Sequence, residues 1–336
     1  MKRKKPLSIS RYIVISKLMH TGIVKKAALL VYKSLYFIFW ILRYLINRNA
    51  DKKMLVEGSD FKTFFYRPIY SVNVTTASDD DGDLPPMAIV MQGPALKDYD
   101  FTYETIKIYK KHFQNTKIIL STWEGEEIPA GHAADEIVFS KKPDYAGAFN
   151  INMQIVSSMN GINRVRELGF EYAIKTRTDQ RFYAVNIKKY LFNLIDIFPP
   201  RLPVQKSRLV GFSFNSSKPR RIITDMFMFG HIEDMIKWWS PELTKPETAV
   251  NAPEFYFQTE YFKKIGFDAG STANSFYRFL ADCFIVIDSA SLDFYWPKYT
   301  AFETRFVRYW HHELEGLGFK DWFNIYHDYA QKPNIN

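Results

Sequence analysis

A single cysteine, Cys283, in 336 residues leaves no intramolecular disulfide and no cysteine-based zinc cluster. Also missing are the glycine-rich phosphate loops of dinucleotide-binding and P-loop proteins, a Gly-x-Ser-x-Gly elbow and a His-Glu-x-x-His helix. These absences set aside the simplest dehydrogenase, kinase, lipase and metalloprotease readings. No uncharged apolar run approaches the ~20 residues of a spanning helix. The best stretch, 27–46, is interrupted by Lys33 and Arg43, leaving nine uncharged residues from Ser34 to Leu42. A basic body is absent as well, despite a formal charge of +9. Residues 1–53 carry 13 Lys or Arg against one Asp, so the remaining 283 residues sum to −3. That distribution argues against nucleic acid as a partner.

The basic excess therefore belongs to the N-terminus. Residues 1–50 read as a basic, aromatic amphipathic segment suited to an anionic membrane surface. A helix packed on the body or on a partner is the alternative. No small-residue cleavage site follows it, which disfavours a secretory signal. Residues 51–86 read as a connector ending in Asp79-Asp80-Asp81-Gly82-Asp83 and Pro85-Pro86, a composition typical of a solvated loop. Cys283 lies in the apolar run Cys-Phe-Ile-Val-Ile and is expected to be a buried strand thiol in a reducing compartment.

From Met87 onward the pattern is strand, helix, strand, strand, helix, strand, the signature of a parallel α/β sheet. The strands are Ala88 to Met91, feeding a tight turn at Gln92-Gly93-Pro94, Lys117 to Trp123, Glu136 to Phe139 and a fourth within 171–183. The helices run from about Asp98 to Phe113 and from about Phe149 to Leu168. Ligands of such sheets sit beyond the carboxyl ends of the strands. Those ends read Gln92-Gly93-Pro94, Ser121-Thr122-Trp123 and Arg177-Thr178-Asp179-Gln180, each polar after an apolar strand. In the fourth strand Lys175, Arg177 and Asp179 alternate onto one face. Unpaired buried charge is costly, so they mark either a polar site or an edge strand whose ions are solvated.

The second half is less regular. Strands are expected over Arg208 to Phe214, Arg220 to Gly230 and Cys283 to Ile287, with a helix over 251–266. Asp225 sits inside the apolar run Ile-Ile-Thr-Asp-Met-Phe-Met-Phe-Gly and needs a hydrogen-bond partner, a cation or a chemical role. Glu254 lies in a first helical turn, where a carboxylate compensates the helix dipole or serves a site. Trp310-His311-His312-Glu313 is either a metal or phosphate contact or ordinary surface. An Asp at a strand tip suits a cation held against a diphosphate, and Lys or Arg there can neutralise a leaving phosphate. A separate carboxylate can deprotonate an acceptor hydroxyl.

The blocks Ile89-Val90-Met91-Gln92-Gly93-Pro94, Leu120-Ser121-Thr122-Trp123, Lys175-Thr176-Arg177-Thr178-Asp179-Gln180 and Thr224-Asp225-Met226-Phe227 with Phe229-Gly230 resemble, in order, the WavE family of bacterial lipopolysaccharide-synthesis proteins. The resemblance runs through roughly 87–313. It implies a GT-A-like glycosyltransferase: a Rossmann-like, mixed but mostly parallel α/β sheet flanked by helices, here over 87–330. Residues 87–183 would bind the nucleotide-sugar and 184–330 the acceptor. In such enzymes the fourth strand ends in Asp-x-Asp and binds a divalent metal, Mn or Mg. Here the first acid is replaced by Arg177, so the cation itself can neutralise phosphate. By the same resemblance His311 or His312 would complete a metal shell with Asp179, and Glu254 would be the base, with Asp225 its competitor or a ligand of the acceptor hydroxyl. Gln92, Gly93, Pro94, Thr122, Lys175, Arg177 and Asp179 would surround the nucleotide and diphosphate.

The expectation is thus a transferase at the cytoplasmic face of the bacterial inner membrane, acting on a lipid-linked, lipopolysaccharide or capsule glycan. A nucleotidyl- or phospho-sugar transferase, or a non-catalytic glycan- or lipid-binding component, are the alternatives.

Overall fold

The computed structural model describes residues 84–212, 222–268, 273–296 and 317–330. The expected membrane segment 1–50, nearly all of the connector and the His311-His312 pair lie outside these residues. No helix among the described residues is long and apolar enough to cross a membrane.

The first half follows the expected alternation. It runs β1 (Met87–Gln92), α1 (Phe101–His112), β2 (Thr116–Trp123), β3 (Glu136–Ser140), α2 (Ile151–Glu167) and β4 (Tyr172–Arg177). Met87 to Met91 are all at 0% exposure. β1 is covered on both faces, which is why it reads as a continuous apolar run rather than an alternating one. α1 carries Glu104 in its first turn and Lys110, Lys111 and His112 in its last, charges that match the two ends of the helix dipole. α2 lies unusually close to the sheet. A Cβ on its Gly161 would come within 2.5 Å of Val90 Cγ1 and 2.9 Å of Ser121 Cβ, so only glycine allows this approach.

The chain continues with β5 (Arg181–Phe182), α3 (Ile187–Ile197), β6 (Leu209–Phe212), β7 (Met228–His231), α4 (Ile232–Trp239) and α5 (Pro253–Ile265). It then forms α6 (Ala273–Cys283), β8 (Phe284–Ile287), β9 (Phe294–Tyr295) and α7 (Phe319–Ala330). Seven strands form one sheet in the order β3-β2-β1-β4-β7-β6-β8, while β5 and β9 pair separately. β1, β2, β3 and β4 are mutually parallel, β7 is antiparallel to β4 and β6, and β6 is parallel to β8. β7 is therefore the one reversed strand of the seven, and its beginning reaches the edge where its neighbours end. The fold is mixed α/β around a mostly parallel sheet, as expected.

Several boundaries differ from expectation. The 171–183 stretch is two strands: β4 ends at Arg177, and after a turn Arg181–Phe182 joins the small sheet. β4 is central, between β1 and β7, so the edge-strand reading of its charges falls. The strand expected from Arg220 begins only at Met228, with Asp225 in a bend before it. There Gln258 accepts from the Ile223 amide (3.3 Å) and Lys175 donates to the Asp225 carbonyl (2.8 Å), so side chains take the bonds a sheet neighbour would supply. Cys283 closes α6 rather than opening β8, although its thiol is buried, which pushes its pKa up. α5 has the predicted start and stop: Pro253 within its first two positions and Gly266 at φ 64 beyond its end.

Candidate active site

The ends of β1, β2 and β4 are joined into one polar edge. At the end of β1 the chain turns sharply through Gly93, whose φ of 116 favours glycine. Its amide donates to Ser121 O (3.0 Å) on β2. The Thr178 amide donates to Gln92 O (3.1 Å) and its hydroxyl to Pro94 O (2.5 Å), pinning the turn after β4 to the turn after β1. Thr102 continues the chain by donating to Thr178 O (2.9 Å) while accepting from the Leu96 amide (2.8 Å). Glu126 spans the tips of β1 and β2, accepting from the Ala95 amide (2.8 Å) and the Thr122 hydroxyl (2.6 Å).

Arg177 and Asp179 form a bidentate pair, Nε to Oδ1 at 2.9 Å and a terminal nitrogen to Oδ2 at 3.0 Å. The Trp296 indole donates to the same Oδ2 (2.9 Å), and its ring lies 5.1 Å from the Arg177 guanidinium carbon. Burial would raise the Asp179 carboxyl, but Arg177 and then the indole outweigh it and hold the group below the usual carboxylate range. The pair remains partly accessible, with side chains 30% and 22% exposed. A ligand on that edge could therefore reach it without displacing the residues that support it.

Lys175 is elsewhere than expected. It is fully buried, its ammonium donating to Asp225 O at 2.8 Å and lying 4.1 Å from the centre of the Trp239 ring. Burial pushes its pKa down to about 7, against the opposing pull of Asp225. It is not a surface phosphate contact. Gln92 and Thr122 are likewise committed inward, Gln92 donating to Ser157 Oγ (2.8 Å) and Thr122 to Glu126. Their side chains shape the edge rather than face a ligand.

Asp225 is half-buried, and its Oδ2 accepts from the side-chain Nε2 of Gln154 in the first turn of α2. Glu254 lines a cleft of about 540 Å³ together with Phe149, Ile222, Asn251, Ala252, Pro253 and Phe255. Phe149 is 70% exposed and Phe255 48% exposed, so two aromatic rings reach solvent at this cleft. The site residues thus comprise an Arg177–Asp179 ion pair at the end of β4, Asp225 in the bend before the reversed strand, and Glu254 in the cleft at the start of α5.

A divalent metal fits the described residues poorly. Both oxygens of Asp179 are engaged by Arg177 and one also by Trp296. Among the described residues no three His, Cys, Asp or Glu side chains gather into a metal-binding group. His311, the other expected ligand, lies outside them.

Glu126, Gln154, Thr178 and Trp296 were not singled out from sequence. Glu126 lies in Trp-Glu-Gly-Glu-Glu, where three acids are equivalent on paper. Trp296 is 117 positions from Asp179 and carries no local signal.

The family model for WavE lipopolysaccharide synthesis matches residues 87–331. The chain belongs to the WavE family. Membership extends the resemblance drawn from four blocks across the whole described fold, and it carries forward the enzymatic expectation attached to that family. No curated protein matches the chain. Among solved structures it is similar to a glycosyltransferase involved in the glycosylation of the major capsid of PBCV-1, at 14% identity and a TM-score of 0.37. That alignment covers 68% of this chain and 99% of the other. So slight a likeness has no bearing on the site of this WavE protein.

Proposed function

We propose that this WavE protein is a glycosyltransferase that takes a sugar from a nucleotide-sugar donor and delivers it to a lipopolysaccharide or related lipid-linked glycan. The observation that carries the reading is the Arg177–Asp179–Trp296 cluster at the carboxyl edge of a mostly parallel sheet, beside the turn at Gly93. The donor diphosphate would lie along that edge. Arg177 would neutralise its charge, with Asp179 and Trp296 fixing the guanidinium in place. Bidentate arginine–phosphate geometry suits that task.

The reaction breaks the bond between the anomeric carbon and the phosphate oxygen and forms one from that carbon to an acceptor hydroxyl oxygen. The hydroxyl proton passes to a carboxylate, and the nucleoside diphosphate leaves with the bonding pair. Asp225 is the better placed acid for this transfer. It is tethered through Lys175 to the strand that ends in Arg177, and Gln154 steadies its carboxylate. Glu254, with Phe149 and Phe255, would line the acceptor side. Residues 1–50 would hold the enzyme on the anionic cytoplasmic face of the inner membrane, where lipid-linked acceptors are presented.

Thermal stability of the purified protein against a panel of nucleoside diphosphates and nucleotide-sugars, with manganese or with chelator, tests this reading. A donor at a hundredfold excess over its dissociation constant stabilises the fold by about 2.7 kcal/mol. The expected result is a shift with one nucleotide that persists in chelator. A shift that requires manganese would mean that Arg177 yields Asp179 to a cation. No shift with any nucleotide would overturn the transferase reading.

A further inference from the structure

Lys175 combines properties that are hard to reconcile with packing alone. Its side chain is fully buried, yet an ammonium has three protons to donate. Its one hydrogen bond goes to the Asp225 carbonyl, the neutral Trp239 ring lies against it, and the pull of the Asp225 and Asp179 carboxylates does not offset its burial. A buried cation whose desolvation outweighs its compensation is costly, and an apolar side chain of similar length would fill the space more favourably. The carbonyl it holds belongs to the segment that precedes the reversed strand β7. That segment has no sheet neighbour until Met228. It is held by side chains from three other elements: Lys175 on β4, Gln154 on α2 and Gln258 on α5. Of these, only Lys175 comes from the strand that also carries Arg177.

We infer that Lys175 is a positioning residue: its ammonium fixes the backbone at Asp225 and thereby aims the Asp225 carboxylate toward the edge occupied by Arg177 and Asp179. It does not touch the donor phosphates. The inference rests on the reading of Asp225 as the acid on the acceptor side. In this arrangement β4 serves both partners of the transfer, presenting a cation at its end and a tether two residues earlier. The distance between the two halves of the reaction is then set by one strand rather than by two loops.

The test compares K175M, D225N and the double variant in the full-length protein. Methionine keeps the length and packing but removes the donor. Nucleotide binding is followed by thermal shift with uridine, guanosine, cytidine, adenosine and thymidine diphosphates, and hydrogen exchange is followed across 222–228. K175M is expected to keep diphosphate affinity within about threefold while kcat falls at least about tenfold, the pattern of a group acting in the transition state only. Because Lys175 acts through Asp225, the double variant should be no slower than D225N alone. Amides of 222–228 should exchange about tenfold faster in K175M, while those of β1 do not change.

Losses in the double variant that multiply would overturn the inference, as would unchanged exchange across 222–228. A fall in diphosphate affinity of more than about tenfold at unchanged kcat would make Lys175 a phosphate contact instead. Should K175M fail to fold, K175Q, which keeps a donor, goes through the same measurements with smaller effects expected in the same direction. Absence of nucleotide binding by the unaltered protein would remove the transferase reading. The exchange comparison would still decide whether the tether exists.

Discussion

Along the carboxyl edge of the sheet, the turns that follow β1 and β4 and the segment that precedes β7 are held by different means. The first two are joined by main-chain bonds, Thr178 amide to Gln92 O and Gly93 amide to Ser121 O, and reinforced by the hydroxyls of Thr178 and Thr102 and the Glu126 carboxylate. The segment before β7 borrows its fastenings from the side chains of Lys175, Gln154 and Gln258. A main-chain fastening survives most substitutions, whereas a side-chain fastening is lost with one residue. The side proposed for the diphosphate, with main-chain bonds beneath its hydroxyls, should therefore tolerate single substitutions better than the side proposed for the acceptor, which is held by side chains alone among the described bonds.

The comparison breaks most severely at the ion pair. Asp179→Asn removes the carboxylate that orients Arg177, and kcat/KM is expected to fall about 10²–10³-fold, the size seen when one charge-stabilising group is lost. Circular dichroism should show the fold intact, because the turn bonds of Gly93 and Thr178 do not involve that carboxylate. An unchanged rate would mean that the diphosphate lies elsewhere. Trp296→Phe keeps the ring beside Arg177 but deletes the indole donor to Asp179 Oδ2. A smaller loss, about tenfold in kcat/KM, is expected for one neutral donor to a charged group.

Stability against pH sharpens the comparison on the other side. Unfolded, Lys175 keeps its proton to about pH 10.5, whereas folded it loses it near 7. Between those values the unfolded chain binds more protons, so stability rises with pH. The cost of the buried ammonium is full below pH 7 and gone above 10.5. The stability of the native protein relative to K175M should climb by about 1.4 kcal/mol per pH unit across that window. Equilibrium denaturation at pH 7, 8 and 9 measures it, and a flat difference would remove the depressed lysine.

The smallest effect belongs to the packing beneath the edge. Gly161→Ala places a methyl against Val90 and Ser121 and is expected to cost about 1–3 kcal/mol of stability with kcat nearly unchanged. Denaturant midpoints and rates measured together would separate this from the site variants.

Much of the first half was legible because its signals are local. A doubly covered strand reads as an apolar run, and a strand tip reads as a change from apolar to polar. Those two rules located Gln92, Gly93, Arg177 and Asp179 at one edge. They failed at Lys175, since alternation says which face a side chain takes but not how much covers that face. They failed again at Asp225, where an apolar stretch looked like strand although its hydrogen bonds go to distant side chains. Trp296 and Gln154 join the site only through tertiary folding, so no spacing in the chain announces them. The family resemblance reached further than the residue reading, and the match over 87–331 bears it out.

The reversal of β7 has a consequence for how such a protein can diversify. A strand that enters the edge from its beginning is preceded by a connection that belongs to neither β6 nor β7. Doubling the length of a connection adds only about 0.6 kcal/mol of closure entropy. The connection leading to β7 can therefore vary in length while the sheet and the Arg177–Asp179 pair stay as they are, and its described end, 222–227, carries Asp225. Related chains would then share one donor and differ in what they build, and grafting this connection between them would move the acceptor preference with it.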